Sequence, residues 1–444
     1  MLFRLRPMDS TPSLRQRIYE MLMESQFWSP AQMLEFQRSQ LAQLLRHAKA
    51  TVPFYKTRLD PLFEKNDEIN WDRWHKIPIV TRADLRERRP ELLTRELPPG
   101  HGPTKEFSTS GSSGVPITVT ATAIDGETQR AVRARFDKHH ALNFAKCRAK
   151  FDFPSEFQYW KQVFRNGKGE PIGGLKADGL GTTLKVSTKA ADAEKLSVLR
   201  SGKAAILSSL PNDIEIIARK NLRLRDRVRL ETILCFGQGP TSEQRELFLR
   251  SFGAKTVEIY SSKEAGFMAF QCTSGNHFHI NSESVFLEVL NSQGLPCAPG
   301  EVGRVVVTPL YGTAQPLIRY EQGDMATPGL PCSCGVKLPV LSKVDGRQDP
   351  ILKLPGRLAT EMLVNKELLT RTLKADALQV AQIAELHFEI RYVAPRAATP
   401  TGRGVITRHL RFILHPDLNV SYKKVTEIPR NAGGKQQRFV REFA

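Results

Sequence analysis

Five hydroxyl side chains and two glycines fall within the eight positions Ser108 to Val115, in the run FSTSGSSGVPITVT. Glycine lets successive backbone N–H groups turn inward, and small hydroxyls add donors at little steric cost. Thr109, Ser110, Gly111, Ser112, Ser113 and Gly114 can therefore cradle an anion such as a phosphate. A solvated turn has the same composition. The run lacks the GxxxxGKS/T order of a Walker loop, so that mechanism does not transfer to it.

Three later segments carry groups suited to handling such an anion. VEIYSSKEAG supplies Tyr260, Ser261 and Glu264, and PLIRYEQGDMA supplies Asp324, while VDGRQD sets Asp349 two residues after Arg347. A carboxylate is an acceptor-only group that can grip paired hydroxyls, and its hard oxygens suit Mg²⁺. Near the end of the chain, IPRNAGGK presents Lys435 behind two glycines, on what reads as an exposed loop. Singly, each has a bland counterpart: solvated loop acids for Glu264 and Asp324, a core aromatic for Tyr260, a structural ion-pair partner for Arg347, plain surface for the GGK.

Cysteine and histidine form a separate pattern. PCSCG places Cys332 and Cys334 on a tight turn, and QCTSGNHFHIN adds Cys272 with His277 and His279. Thiolates and imidazoles from two loops can close a tetrahedral zinc site. CxC spacing is less specific than paired CxxC, and buried inert thiols are the competing reading.

These residues need a scaffold large enough to bring them together. With 444 residues the chain is too long for one ordinary core, and 40% hydrophobic with 25% charged residues describes a globular protein. The balance of 65 basic against 46 acidic residues, a formal charge of +19, favours phosphorylated partners. The basic residues are spread along the chain without forming an arm, so small phosphorylated ligands are favoured over nucleic acid. No run spans a bilayer and the first residues lack a signal-peptide core, which points to the cytoplasm, where six cysteines are thiols or ligands.

The element pattern agrees with an α/β scaffold. Ser29 caps and Pro30 opens a helix whose Met33, Leu34, Leu41, Leu44, Leu45 and Ala48 recur at helical spacing. From Phe107 to Pro309, β-rich runs (ITVTA, AAILSSL, TVEIY) alternate with helical stretches such as TSEQRELFLRSF, predicting α/β layers with a partly parallel sheet. A boundary near Gly346 to Asp349 divides residues 1–346 from a small α+β unit, 347–444. In that unit a helix near Ala359 to Ala375, strands at ELHFEIRYV and HLRFILH, and an exposed loop at Val393 to Gly404 are predicted.

In order and spacing, these motifs together resemble the adenylate-forming superfamily of acyl-CoA synthetases, adenylation domains and luciferases. The resemblance is strongest to its phenylacetate-CoA ligase branch, which includes capsule-biosynthesis homologues. LAQLLRHAKATVPFYKTRL and KIPIVTRADLRE are similar to that branch's N-terminal region, so the resemblance covers nearly the whole chain. It implies a large N-terminal domain of layered sheets and helices, and a small mobile C-terminal lid. It further implies ATP-dependent activation of a carboxylic acid to an acyl-adenylate, with pyrophosphate released, then transfer to the thiol of coenzyme A. Under it the Thr109–Gly114 loop and Ser261 would hold phosphates, Glu264 would hold Mg²⁺, Tyr260 would stack on adenine, and Asp324 would grip the ribose hydroxyls. Arg347 would contact ribose or phosphate, Asp349 would be the hinge, and Lys435 would bridge the carboxylate and α-phosphate. The branch also implies a homodimer and, in some members, structural zinc, here on Cys272, His279, Cys332 and Cys334.

Some positions depart from the family pattern. Val115 stands where a lysine or polar residue is common, Gln238 and Gly239 stand where a GGE-like turn is common, and Pro350 follows Asp349 in place of a second acid. These put the acceptor in doubt more than adenylation. An amine or carrier-protein acceptor, adenylyl transfer, and a degenerate nucleotide-binding scaffold with a basic docking surface therefore remain open. KFDFPSEFQYW and Phe236 favour a flat or aryl acid, although core packing explains aromatics equally well.

Overall fold

The computed structural model describes residues 12–108, 117–143, 145–152, 182–188, 190–237, 239–347, 352–355, 357–359, 366–429 and 439–443. The Thr109–Gly114 loop, Val115, Gln238, Asp349, Pro350 and Lys435 lie outside them, as does most of KFDFPSEFQYW.

Helices open the chain: α1 (Leu14–Ser25) and α2 (Pro30–Thr51). At the start of α2, Ser29 and Gln32 form a reciprocal capping box and Pro30 occupies the first turn, as the sequence predicts. A cap of this kind is worth about 1 kcal/mol. Leu41, Leu44, Leu45 and Ala48 bury one face of α2 in the main core. Two short helices, α3 (Arg82–Glu87) and α4 (Arg89–Leu92), lead to a two-stranded hairpin, β1 (Thr104–Ser108) and β2 (Thr118–Thr122), and then to α5 (Ala123–His139).

An 11-stranded sheet follows. Its first half holds β3 (Arg148–Asp152), β4 (Thr183–Ser187), β5 (Ile206–Ser209), β6 (Thr232–Cys235) and β7 (Lys255–Ser262), all parallel. Parallel neighbours need crossover connections, and helices supply them: α6 (Asp192–Ser201) before β5, α7 (Pro211–Asn221) between β5 and β6, α8 (Ser242–Phe252) between β6 and β7. Leu207, Ile233 and Cys235 pack with Ile214, Ile217, Phe248 and Phe252 into one buried cluster.

The other half is antiparallel: β8 (Gly266–Gln271), β9 (Phe278–Ile280), β10 (Val285–Leu290), β11 (Gly303–Pro309), β12 (Tyr320–Pro328) and β13 (Val340–Arg347). β7 is the seam, parallel to β6 on one side and antiparallel to β8 on the other. In open α/β sheets, ligands gather outside the carboxyl ends of the parallel strands, and Tyr260 sits at that end of β7.

The rest of the chain forms a smaller α+β unit with its own apolar cluster, from Leu352 to Phe439. After the short pair β14 (Leu352–Leu354) and β15 (Arg357–Ala359) come α9 (Lys366–Leu373), β16 (Ala377–Ala384), β17 (His387–Val393), α10 (Pro400–Ile413), β18 (Asn419–Lys424) and β19 (Phe439–Arg441). The last four strands form a sheet in the order β18-β17-β16-β19.

Three sequence expectations need correction here. HLRFILH is helical, forming the last turns of α10 and its exit, with Ile406 and Leu410 buried four residues apart and Thr399 as N-cap. Its alternating apolar residues imitate a strand, but burial against β-sheet at helical spacing decides the outcome. The predicted loop at Val393 to Gly404 accordingly ends inside that helix. Ala359 closes β15, so the helix expected there is confined to α9 among the described residues. No helix among the described residues is long and apolar enough to cross a membrane.

Candidate active site

The chain reverses sharply between β7 and β8, and this turn carries Glu264. Ser262 Oγ accepts the N–H of Ala265 at 3.0 Å and donates to Gln322 Oε1 at 3.2 Å, fixing the turn to β12. Gly266 ends the turn at φ +69, a conformation that favours glycine, and a Cβ there would lie 2.2 Å from Gln129 Cδ and displace that side chain. Glu264 is consequently held with its side chain only 3% exposed, although it lies in a turn.

The neighbouring β12 brings Asp324 to the same place. Tyr260 Oη donates to Asp324 Oδ2 at 2.8 Å, and Asp324 pairs in register with Arg347, the last residue of β13. Gly323, at φ +80, bends the strand just before Asp324. At its start, Arg319 has φ 54, a left-handed conformation that is costly for a non-glycine residue. Neighbouring groups hold it there: Nε and Nη2 each donate to Glu288 at 3.2 Å, and Nη1 donates to the carbonyls of His75 and Ile77 at 2.9 Å.

Three cations missed by sequence reasoning complete the surroundings. Lys263 Nζ donates to the carbonyl oxygen of Ser108 at 2.7 Å, tying the Glu264 turn to the strand that leads into the serine–glycine loop. On the hairpin's other side, Arg89 Nε donates to Thr118 O at 3.2 Å and Nη2 to Thr120 Oγ1 at 2.9 Å, with Glu106 also engaged. Arg82 Nη1 stands 3.8 Å from Glu264 Oε1. Adjacency to Glu264 in SSKEAG was the available signal for Lys263; Arg82 had none beyond its place in VTRADLRE.

Tyr260, Glu264 and Asp324 therefore share one corner with the end of β1 and the end of β13, while the placement of Ser261 follows from β7. The corner also suits a hard cation. Glu264 Oε1 has no hydrogen-bond partner among the described residues, which leaves a carboxylate oxygen uncommitted. Phe151, one aromatic of the expected acid pocket, is instead core at 1% exposure. Phe236 is half-buried, with Lys150 Nζ 5.8 Å above its ring.

A second constellation lies where β8, β9 and the loop before β13 meet. Ligand atoms of Cys272, His277, His279 and Cys332 all lie within 4.8 Å of one another. Cys272 and Cys332 Sγ are 3.7 Å apart, His277 Nε2 is 3.0 Å from Cys332 Sγ, and His279 Nε2 is 3.3 Å from Cys334 Sγ. Two thiolates on a tetrahedral ion, each at about 2.3 Å, stand about 3.75 Å apart, which matches the sulfur pair. Burial pushes His279 down to about 4, keeping the imidazole neutral as a ligand must be. Burial works against ionisation of Cys272, but hydrogen bonds from Ser274 hold its thiol below the usual range, whereas burial pushes Cys334 up to about 12. His277 joins the four ligands expected from the sequence.

Phenylacetate-coenzyme A ligase of Thermus thermophilus is 25% identical to this chain over 329 residues, covering 72% of the chain and 71% of that enzyme. The chain is similar to the phenylacetate-CoA ligases. The Escherichia coli enzyme of the same name is 26% identical over 332 residues, covering 72% of each protein. A crystal structure of 2-hydroxyisobutyryl-CoA ligase, in its postadenylation state with an acyl-adenylate, superposes with a TM-score of 0.74. That match covers 99% of this chain and 95% of the other at 15% identity, and it shows that the two share a fold with a C-terminal domain. No family model matches the chain.

Proposed function

We propose that the protein is an AMP-forming carboxylate–CoA ligase. In the first step a carboxylate oxygen attacks the α-phosphorus of ATP, the bond to the β-phosphate oxygen breaks, and pyrophosphate leaves with its electron pair. In the second, the thiolate of coenzyme A attacks the acyl carbonyl, AMP departs, and the thiol proton goes to solvent. The observation that carries this reading is the meeting of Tyr260, Glu264 and Asp324 at the carboxyl end of the seam strand, with Lys263 tying in the base of the serine–glycine loop.

In this reading Asp324 grips the ribose hydroxyls, Tyr260 lies against adenine, and Arg347 reaches ribose or phosphate from β13. Thr109 to Gly114 and Ser261 donate to phosphate oxygens. Glu264 would hold magnesium, which would supply positive charge to offset the repulsion between phosphate and an incoming carboxylate. Lys435 supplies the remaining positive charge between carboxylate and α-phosphate. Residues 347–444 act as the lid, with Asp349 as hinge, because Lys435 and the thiol cannot occupy the same approach. Cys272, His277, Cys332 and Cys334, steered by His279 or with His279 in place of His277, hold structural zinc. The setting is the cytoplasm, and the assembled form is a homodimer.

Carboxylate-dependent exchange of pyrophosphate into ATP tests the first step, across a panel of carboxylic acids including aryl acids, and thioester formation with coenzyme A tests the second. Exchange that yields product only with amines would reassign the acceptor. A folded, magnesium-supplied sample without affinity for ATP or AMP would refute the proposal.

A further inference from the structure

We propose that Arg82 is a positioning residue for nucleotide activation: it holds the carboxylate of Glu264 in place by charge while leaving that carboxylate's oxygen uncommitted. The inference rests on the ligase reading.

Arg82 reaches the site through the backbone. Thr81 caps α3, its side chain and that of Asp84 forming a capping box, which makes Arg82 the first helical residue. Just before it, Val80 forms a bridge to Tyr320, donating to Arg319 O at 2.9 Å and accepting from the N–H of Glu321 at 2.9 Å. The strand that carries Asp324 therefore also anchors the segment that carries Arg82.

The pair with Glu264 is unlike a structural ion pair. At 3.8 Å it is too long for a hydrogen bond, yet it lies at ion-pair range. Glu264 Oε1 is buried without a hydrogen-bond partner, and so are Nε and Nη2 of Arg82. Buried polar atoms are nearly always satisfied, so three orphans at one point call for an explanation. The same protein shows what a structural pair looks like. Arg135 and Glu283, both fully buried, close to 2.6 and 3.0 Å in a two-pronged contact, and Asn281 and Leu22 O take further donors. Arg135 Nε is also without a partner, but both carboxylate oxygens and both terminal nitrogens are engaged, unlike Glu264 Oε1 and Arg82 Nη2. At Arg82 the geometry keeps donors and acceptor open for a third party. A cation between Glu264 and a phosphate would use the free oxygen, and a phosphate oxygen would use the free donors.

Among the described residues no other cation takes this role. Glu264 has no second charged partner among the described residues, and the adjacent Lys263 is turned toward Ser108. A neighbour that orients a metal-binding carboxylate typically changes metal affinity by about 10–100-fold when removed.

The test uses the full chain with Arg82→Met and Arg82→Lys. Mn²⁺ binding in the presence of ATP, followed by electron paramagnetic resonance, is expected to weaken about tenfold or more in R82M and to recover in part in R82K. The magnesium concentration that half-saturates pyrophosphate exchange should rise in step, with the KM for the carboxylic acid unchanged. Wild-type Mn²⁺ affinity and wild-type magnesium dependence in R82M would overturn the inference. Should R82M fail to fold, R82K and Arg82→Gln decide by the same two readouts. Wild-type protein without exchange would instead remove the ligase reading, so the two failures are distinguishable.

Discussion

The hydroxyl of Tyr260 donates to the carboxylate of Asp324 at 2.8 Å, across 64 residues of sequence. This bond ties the end of the seam strand to the strand beside Arg347 and limits how the carboxylate can turn. In the proposed ligase, a grip of Asp324 on two ribose hydroxyls would need the carboxylate plane set in advance, and the phenol is placed to set it.

Replacing Tyr260 by Phe keeps the ring and removes the donor. A hydrogen bond to a charged acceptor is worth about 1.5–3 kcal/mol. The KM for ATP in pyrophosphate exchange should rise about tenfold, with kcat changed far less. An unchanged KM would show that the bond does not orient Asp324.

Lys263→Met should act differently, because Lys263 is exposed and its bond to Ser108 O fastens the end of β1, which leads into the serine–glycine run. Thermal stability should stay near wild type while kcat for exchange falls up to about 100-fold, the cost of misplacing reacting groups by about 1 Å. Equal kcat in mutant and wild type would detach Lys263 from the loop's placement.

The cysteine–histidine cluster predicts a single equivalent of zinc, measured by metal analysis after chelation and gel filtration. Cys332→Ser removes a sulfur that lies close to both Cys272 and His277. It should lose the metal and several kcal/mol of stability, because binding free energy at a structural site is folding free energy. A metal-free protein with an unchanged melting curve would reject zinc.

His139 and His140 predict a pH dependence of stability. Burial is the chief cause that pushes each down to about 4, from 6.5 in an open chain. His140 Nε2 donates to Gln271 O at 2.9 Å. With folded values below unfolded ones, the unfolded chain binds more protons between pH 6.5 and 4. Stability is therefore complete above that window and falls as pH drops through it. Denaturant unfolding at several pH values should show a shallower slope for His140→Gln than for wild type. Identical slopes would mean that His140 titrates alike in both states.

Local chemistry made much of the site legible. Tyr260, Glu264 and Asp324 stand in short motifs whose residue types suit anion handling, and Ser29 and Pro30 mark the start of α2, to which the structure adds Gln32. Arg82 and Lys263 were not legible, since their meaning depends on what lies opposite after folding; Lys263 reaches back 155 residues to Ser108. His409 to His415 misled because a short apolar alternation fits both periods, and only packing against the small sheet chose the helix. The resemblance favours His279 over His277 as a ligand, whereas the structure sets both beside a sulfur, His277 Nε2 3.0 Å from Cys332 Sγ and His279 Nε2 3.3 Å from Cys334 Sγ.

The rung between Val80 and Tyr320 bears on how small a working version of this protein can be. A trimmed protein beginning at the β1–β2 hairpin would keep the serine–glycine run, Tyr260, Glu264 and Asp324 yet lose Arg82 and the splint along which β12 is laid. The smallest competent unit must start upstream of Val80, and helices that touch no substrate are part of its machinery.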